Sequence, residues 1–123
     1  MPALNHIIVP ARDKHASAKF LADILGVQVE PPWGHFVPVR TSNGVALDFV
    51  DSKDVRTQHY AFLVDDAEFG KVKAQGIPYY AHPDKSGRGE INRYWGGRGV
   101  YFEDPDGHLL ELITKPYGDL DKR

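Results

Sequence analysis

The chain of 123 residues contains one pattern twice, and each copy carries a histidine near its start and a carboxylate near its end. The first copy has His6 and Asp48 inside apolar segments, and the second has His59 and Glu111 at the corresponding places. In both copies the carboxylate follows a glycine, with three residues between them. A duplicated unit in a chain of this length predicts a single domain, 1–123, assembled from two similar modules.

The composition excludes several classes of protein and of metal site. With 15 Lys and Arg against 17 Asp and Glu, the net charge of −2 provides no basic field for nucleic acid. No apolar run reaches the roughly 18 residues that a membrane span needs, and Arg12, Asp13 and Lys14 interrupt any secretion signal. We therefore expect a cytoplasmic protein with neither a nucleic-acid nor a membrane partner. Because the chain has no cysteine, any metal ion must be held by nitrogen and oxygen atoms.

Each half is predicted to run strand–helix–strand–strand–strand. In the first half the helix begins after Asp13, a suitable N-cap, and ends at Gly26, with apolar residues at helical spacing between them. The strands of this half are predicted at residues 4–9, 27–30, 36–40 and 45–50. Residues 51–57 are polar and aperiodic, so they form the predicted linker between module 4–50 and module 58–115.

The second half repeats this order with a longer loop. Asp65 or Asp66 caps a helix that stops before Gly76, and Glu68 completes a capping box. The strands are predicted at residues 58–64, 79–81, 99–103 and 108–114, with a long basic loop at 82–98. The tail from Pro116 is polar and is expected to fray. The predicted fold class is α+β, in which two βαβββ modules form a curved mixed sheet around a central cleft with the helices outside.

The histidines and carboxylates of the repeat are candidate metal ligands. Alternation along a strand puts each of them on the same face as apolar neighbours, as with His6 between Leu4 and Ile8. An ionised carboxylate in such surroundings is costly unless it is paired or binds a cation. Donors of this kind suit a divalent ion with open positions for a substrate. The predicted metal ligands are His6, His59, Glu111 and Asp48.

The most specific segment of the chain is Gly99–Glu111, which reads GVYFEDPDGHLLE. With His6 and His59 in place, the duplicated unit resembles the vicinal oxygen chelate superfamily over residues 4–115. That superfamily includes glyoxalase I, extradiol dioxygenases, epimerases, fosfomycin-resistance enzymes and bleomycin-binding proteins. The resemblance implies a homodimer, a small-molecule substrate bound through adjacent oxygen atoms, and one divalent ion per site (Ni, Zn, Mn, Co or Fe(II)).

Two comparisons with the family's patterns narrow the chemistry. The glyoxalase pattern has Glu where this chain has Asp48, whose shorter side chain is expected to reach the metal through water or to act as a base beside it. Tyr101 stands ten residues before Glu111, as in extradiol dioxygenases, but Asn92 stands where those enzymes have an acid–base histidine. The resemblance therefore implies Glu111, Asp48 and Tyr101 as catalytic residues.

Substrate contacts are expected from the loops, where large aromatic and cationic side chains collect. The 82–98 loop is expected to supply cationic groups for an acidic part of the substrate and to close over it. The candidate substrate-binding residues are Asn92, Arg93, Trp95, Trp33 and Arg98. His108 directly follows a turn and is expected to be exposed.

Three functions are compatible with the sequence. The first is a metal-dependent, glyoxalase-like lyase or isomerase, in which Glu111 or Asp48 moves a proton beside a Lewis-acidic ion. The second is an Fe(II) extradiol-type dioxygenase with Tyr101 next to the metal. The third is a metal-free drug- or metabolite-binding protein of the bleomycin-resistance kind. The preserved ligand set favours the first two over the third.

Overall fold

The first half folds around a three-stranded mixed sheet in the structure, a computed structural model that describes residues 2–118. Its elements are β1 (His6–Ala11), α1 (Lys14–Leu25), β2 (Val37–Arg40) and β3 (Ala46–Asp51). The central strand β3 pairs in parallel with β1 and antiparallel with β2. The strand predicted at 27–30 is wrong and is reduced to one bridge between Val29 and Val39, because two prolines without N–H donors follow it.

The helix α1 begins and ends at the two predicted residues. The Asp13 carboxylate accepts hydrogen bonds from the backbone N–H groups of His15 and Ala16, at 3.1 and 3.2 Å. Gly26 ends the helix in the left-handed conformation, at φ 71°, where a side chain is unfavourable. Leu21 and Ile24 are buried on the apolar face of the helix, which contacts β2 and β3.

The second half has the same topology. Its elements are β4 (His59–Leu63), α2 (Asp66–Phe69), α3 (Lys71–Ala74), a 3₁₀ turn (Tyr94–Gly96), β5 (Gly99–Glu103) and β6 (Leu109–Ile113). Here β6 is central, parallel to β4 and antiparallel to β5. The strand predicted at 79–81 is likewise wrong, since only Tyr80 forms bridges, with Arg88 and Tyr101.

The helix of the second half is divided. Asp65 caps α2 and forms the predicted capping box with Glu68. Gly70 then separates α2 from α3, which is consistent with the low helix propensity of glycine. One predicted helix is therefore two short ones.

Two compact units correspond to the two halves, except that one turn of the second half belongs to the first unit. The first unit contains the residues up to Thr57 together with Asp104–Asp106, and the second contains Gln58–Glu103 and the residues from Gly107 on. This turn belongs to the first unit because Asp106 accepts hydrogen bonds from Arg12 and from Ser17 of α1. The predicted α+β class with two modules is confirmed. No helix within residues 2–118 has the length and apolarity that a membrane crossing requires.

Candidate metal centre

His59 and Glu111 are brought together on neighbouring strands of the second unit. In the parallel pair β4–β6, the residue two positions after His59 faces Glu111, so both side chains project from one face of the sheet. The His59 Nε2 atom lies 3.0 Å from Glu111 Oε1. The Glu111 side chain is 2% exposed and that of His59 is 47% exposed. A buried carboxylate therefore meets an imidazole that is open to solvent.

Two phenol groups surround the same carboxylate. Tyr101 of β5 lies in register with Glu111, and its ring centroid is 6.0 Å from that of His59. The Tyr117 hydroxyl donates a hydrogen bond to Glu111 Oε2 and lies 3.4 Å from the Tyr101 hydroxyl. Each oxygen of Glu111 consequently has its own partner, which satisfies a buried anion.

Both phenols are neutral hydrogen-bond donors at physiological pH. Burial raises the pKa of Tyr117, and its hydrogen bond to Glu111 raises it further. Burial also raises the pKa of Tyr101, partly opposed by the hydrogen bond with Tyr117. The environment of Glu111 therefore contains no competing phenolate.

The first unit presents the equivalent pair, His6 and Asp48, at the same register. The residue two positions after His6 faces Asp48 across β1–β3, which is the register that relates His59 to Glu111. His6 is exposed, and its Nδ1 lies 2.7 Å from the side-chain oxygen of Asn5. Asp48 is half-buried. The duplication read from the sequence therefore extends to the pairing register of the strands.

The Asp48 carboxylate is not consumed by a structural ion pair. Arg40, the nearby cation, directs its guanidinium to both oxygens of Glu30, at 2.9 and 3.2 Å. Within residues 2–118 the Asp48 side chain has no hydrogen-bond donor of its own. Pro38 faces it from β2, at the position that Tyr101 occupies in the second unit. The negative charge of Asp48 also acts on Arg40, and a role of Asp48 in proton transfer or metal binding stays a prediction.

The donor atoms of the second unit fit a divalent ion. Two adjacent ligands at about 2.1 Å from one ion stand about 3.0 Å apart, which is the separation of His59 Nε2 and Glu111 Oε1. In the described part of the chain, no group of three His, Asp or Glu side chains is gathered around one point. The His59–Glu111 pair is the part of the predicted ligand set whose donor atoms the structure brings within reach of one ion.

The predicted environment of the histidines is wrong. His6 and His59 are the first residues of β1 and β4, and both are exposed rather than buried in mid-strand. The strands β1 and β4 are sheet edges, and their faces that carry Ile8 and Leu63 are also exposed. The alternation of side chains along the strands correctly predicted which residues share a face with each histidine. It did not predict that this face is exposed to solvent.

Two of the predicted substrate-binding residues hold the second unit together. The buried Asn92 side chain donates a hydrogen bond of 2.7 Å to the Ala81 carbonyl and accepts one of 3.2 Å from the Tyr94 N–H. The Arg98 guanidinium bonds Asp66 at 2.6 Å and lies over the ring of Phe69, 4.5 Å from its centroid. These contacts give both residues a structural role, and their contact with a substrate stays a prediction.

The other three candidates are exposed. Trp33 stacks on Phe36 in the first unit and is 71% exposed. Arg93 precedes the 3₁₀ turn of the second unit. Trp95 within that turn has a left-handed backbone, at φ 57°, and is 63% exposed. These exposed side chains are accessible to a ligand, and their contact with one also stays a prediction.

Two residues differ from the sequence-based expectation. Tyr117 lies in the tail that was expected to fray, yet it contacts Glu111; residues 119–123 lie outside the described part of the chain. His108 was expected at the surface, but it is fully buried, because its Nδ1 accepts the Gln58 N–H at 2.9 Å and its ring meets Tyr60 edge-on. No local sequence signal marks Tyr117, since its contact depends on the path of the tail.

Comparison with known proteins shows the following similarities. The family model of the Glyoxalase/Bleomycin resistance protein/Dioxygenase superfamily matches residues 3–112. The solved structure of oxidase ChaP-H2 is 53% identical, with a TM-score of 0.91, over 96% of this chain and 97% of that chain. Oxidase ChaP-H1 is 51% identical, with a TM-score of 0.91, over 97% of this chain and 100% of that chain. The glutathione transferase FosA of Serratia marcescens is 28% identical over 91% of this chain and 80% of that protein.

Proposed function

Because this chain belongs to the glyoxalase/bleomycin resistance protein/dioxygenase superfamily, we propose that it is a metal-dependent oxidase of a small molecule with adjacent oxygen atoms. The observation that carries the proposal is the approach of His59 Nε2 to Glu111 Oε1 at 3.0 Å. This pair projects from the face of the sheet on which Tyr101 also lies. An open imidazole next to a buried carboxylate supports the proposal of a metal site, because both groups are ligands of divalent ions.

The choice of an oxidase over other reactions of the superfamily rests on two supports. The relatives named as oxidases are 53% and 51% identical to this chain. Two histidines and one carboxylate with open positions are typical of non-haem Fe(II) oxygenases. Dioxygen is the electron acceptor that we propose, and iron is the ion.

The proposal assigns roles to the histidines and carboxylates of the sequence repeat. His59 and Glu111 would hold the ion, and His6 is the further ligand that the sequence repeat predicts. The bound ion would supply redox chemistry and a Lewis acid for the substrate oxygens. Asp48, whose carboxylate has no donor among residues 2–118, accepts a proton from the substrate hydroxyl. Tyr101 donates a hydrogen bond beside the carboxylate ligand and lines the face on which the substrate lies.

Oxygen consumption tests this function. The protein is loaded with Fe(II) under anaerobic conditions, a catechol is added as the probe, and oxygen uptake is followed with an electrode. We expect uptake that requires both iron and the catechol and that is lost in His59→Ala. The control is His15→Ala, an exposed histidine on α1. Iron binding without any uptake, for catechols and larger polyphenols alike, would exclude the oxidase.

A lyase or isomerase is the second candidate, and one observation favours it. Arg40 is paired with Glu30, so Asp48 can serve as a base that moves a proton between carbon atoms. The curated relative FosA, a glutathione transferase by name, is consistent with non-redox chemistry in this superfamily. Turnover of the methylglyoxal–glutathione adduct with Ni²⁺ or Zn²⁺, in the absence of oxygen, would establish this alternative.

We also propose that the working form is a homodimer with a small-molecule substrate. The faces that carry the candidate histidines expose large apolar side chains: Ile8 is 55% exposed and Leu63 is 60% exposed. Exposed apolar patches of this kind mark association surfaces. Sedimentation of the purified protein should give twice the chain mass, and Ile8→Lys should shift it to the monomer.

A further inference from the structure

Tyr117 holds one oxygen of the carboxylate that we propose as a metal ligand. Its hydroxyl donates to Glu111 Oε2, while Glu111 Oε1 lies 3.0 Å from His59 Nε2. An O–H donor on an ionised oxygen forms a strong, directional hydrogen bond. The two oxygens of Glu111 therefore have different surroundings: one is held by a phenol and the other faces the imidazole.

The path of the chain brings Tyr117 back to this point. Beyond β6, Thr114 continues the pairing with β5: its N–H bonds the Arg98 carbonyl at 3.0 Å, and its hydroxyl accepts the Arg98 N–H at 2.8 Å. Gly97 permits this close approach, since a Cβ there would lie 2.9 Å from Thr114 Oγ1 and 3.0 Å from Lys115. The chain is thus anchored three residues before Tyr117.

The 3₁₀ turn also contacts the ring of Tyr117, through Trp95. The ring centroids of Trp95 and Tyr117 are 6.2 Å apart, with an interplanar angle of 42°. The backbone of Trp95 is left-handed, at φ 57°, a conformation that costs free energy for a residue with a side chain and is common at functional sites. Packing on Trp95 and bonding to Glu111 together define the position of the phenol.

We propose that Tyr117 is a positioning residue, which orients Glu111 so that Oε1 alone is presented with His59 to a divalent ion. This inference rests on the proposed function, because it assigns a role toward the ion of that same site. Partners of metal ligands of this kind fix ligand orientation, and their loss typically lowers metal affinity about 10- to 100-fold. The hydroxyl of Tyr101 lies 3.4 Å from that of Tyr117, so the two phenols and Glu111 form one chain of polar contacts.

Cobalt binding to the full chain tests the assignment without an activity assay. Co²⁺ is titrated into wild type and Tyr117→Phe by calorimetry, and the visible spectrum of each Co²⁺ form is recorded. The Phe variant keeps the ring against Trp95 and removes only the hydroxyl. We expect affinity to fall about tenfold, with a changed spectrum, because Glu111 is released to bind through both oxygens. The control is Tyr94→Phe, which removes a hydroxyl that bonds His82 rather than Glu111.

Each outcome decides a different statement. Equal affinity and an identical spectrum for wild type and Tyr117→Phe would overturn the positioning role while leaving the metal site intact. Equal losses in Tyr117→Phe and Tyr94→Phe would overturn it as well, since the effect would not be specific to Glu111. Absence of Co²⁺ binding to the wild type would overturn both the positioning role and the proposed function.

Discussion

The hydroxyl of Ser17 donates a hydrogen bond of 2.7 Å to the carboxylate of Asp106, 89 positions later in the chain. Both residues are buried, and the Arg12 N–H donates to the same carboxylate at 2.9 Å. Asp106→Ala leaves the Ser17 hydroxyl without its acceptor, so we expect a loss of about 2–3 kcal/mol in the free energy of unfolding. Urea denaturation followed by circular dichroism measures it.

Ser17→Ala removes the donor of this hydrogen bond and leaves the acceptor, so it measures the contribution of the hydroxyl alone. Arg12 still donates to Asp106 Oδ1, whereas Oδ2 loses the Ser17 hydroxyl. The expected loss is about 1–2 kcal/mol, smaller than that of Asp106→Ala. The control is Lys19→Ala, which breaks an exposed ion pair with Asp23 and should cost less than about 0.5 kcal/mol. A cost for Asp106→Ala no greater than that of the control would contradict the anchoring of the turn.

Two glycines should respond to alanine with opposite signs. At Gly99 a Cβ would lie 2.5 Å from the side-chain oxygen of Asn92, which is buried and bonded to Ala81. Gly99→Ala should therefore destabilise the protein by about 1–3 kcal/mol. At Gly70, φ is −72° and a Cβ would meet nothing nearer than 3.7 Å, so Gly70→Ala should stabilise by about 0.4–1 kcal/mol. Thermal unfolding of both variants shows whether the signs differ.

Local signals in the sequence predicted the elements that depend on local contacts. The helix α1 starts after Asp13 because that side chain bonds the first turn of its own helix, and the capping box of Asp65 works in the same way. The resemblance to the superfamily is also confirmed, since the family model matches residues 3–112. These features need no knowledge of how distant segments meet.

Features that depend on distant segments were missed. His108 is buried because the N–H of Gln58, 50 positions earlier, finds an acceptor on its ring. The contact of Tyr117 with Glu111 requires the tail to turn back beside the 3₁₀ turn. Neither arrangement has a periodicity or a capping pattern that a single sequence displays. The pairing of His59 with Glu111 was predictable because the two copies of the repeat place a histidine and a carboxylate at corresponding positions.

A substitution that keeps the shape of the Asp48 side chain should show whether this residue acts as a base or as a metal ligand. Asp48→Asn removes the negative charge needed to accept a proton, so oxygen uptake by the iron-loaded protein should fall by about 10²-fold or more, with the iron content unchanged. The control is Asp51→Asn, on the same strand, whose carboxylate accepts the Lys14 N–H at 2.9 Å. Loss of iron from the Asp48 variant would instead identify this carboxylate as a ligand.

The metal site itself is tested by its stoichiometry and by its effect on stability. Elemental mass spectrometry of untagged protein, purified without chelator, should find about one transition-metal ion per chain, and His59→Ala should remove it because the nitrogen donor beside Glu111 is lost. His15→Ala should retain it.

Added metal should also stabilise the wild type against heat, since an ion at 100 times its Kd contributes about 2.7 kcal/mol by mass action. The same addition should leave the unfolding temperature of His59→Ala unchanged. Equal metal content and equal stabilisation in the two proteins would show that the ion is held elsewhere, and the 3.0 Å contact of His59 with Glu111 would then be an ordinary hydrogen bond.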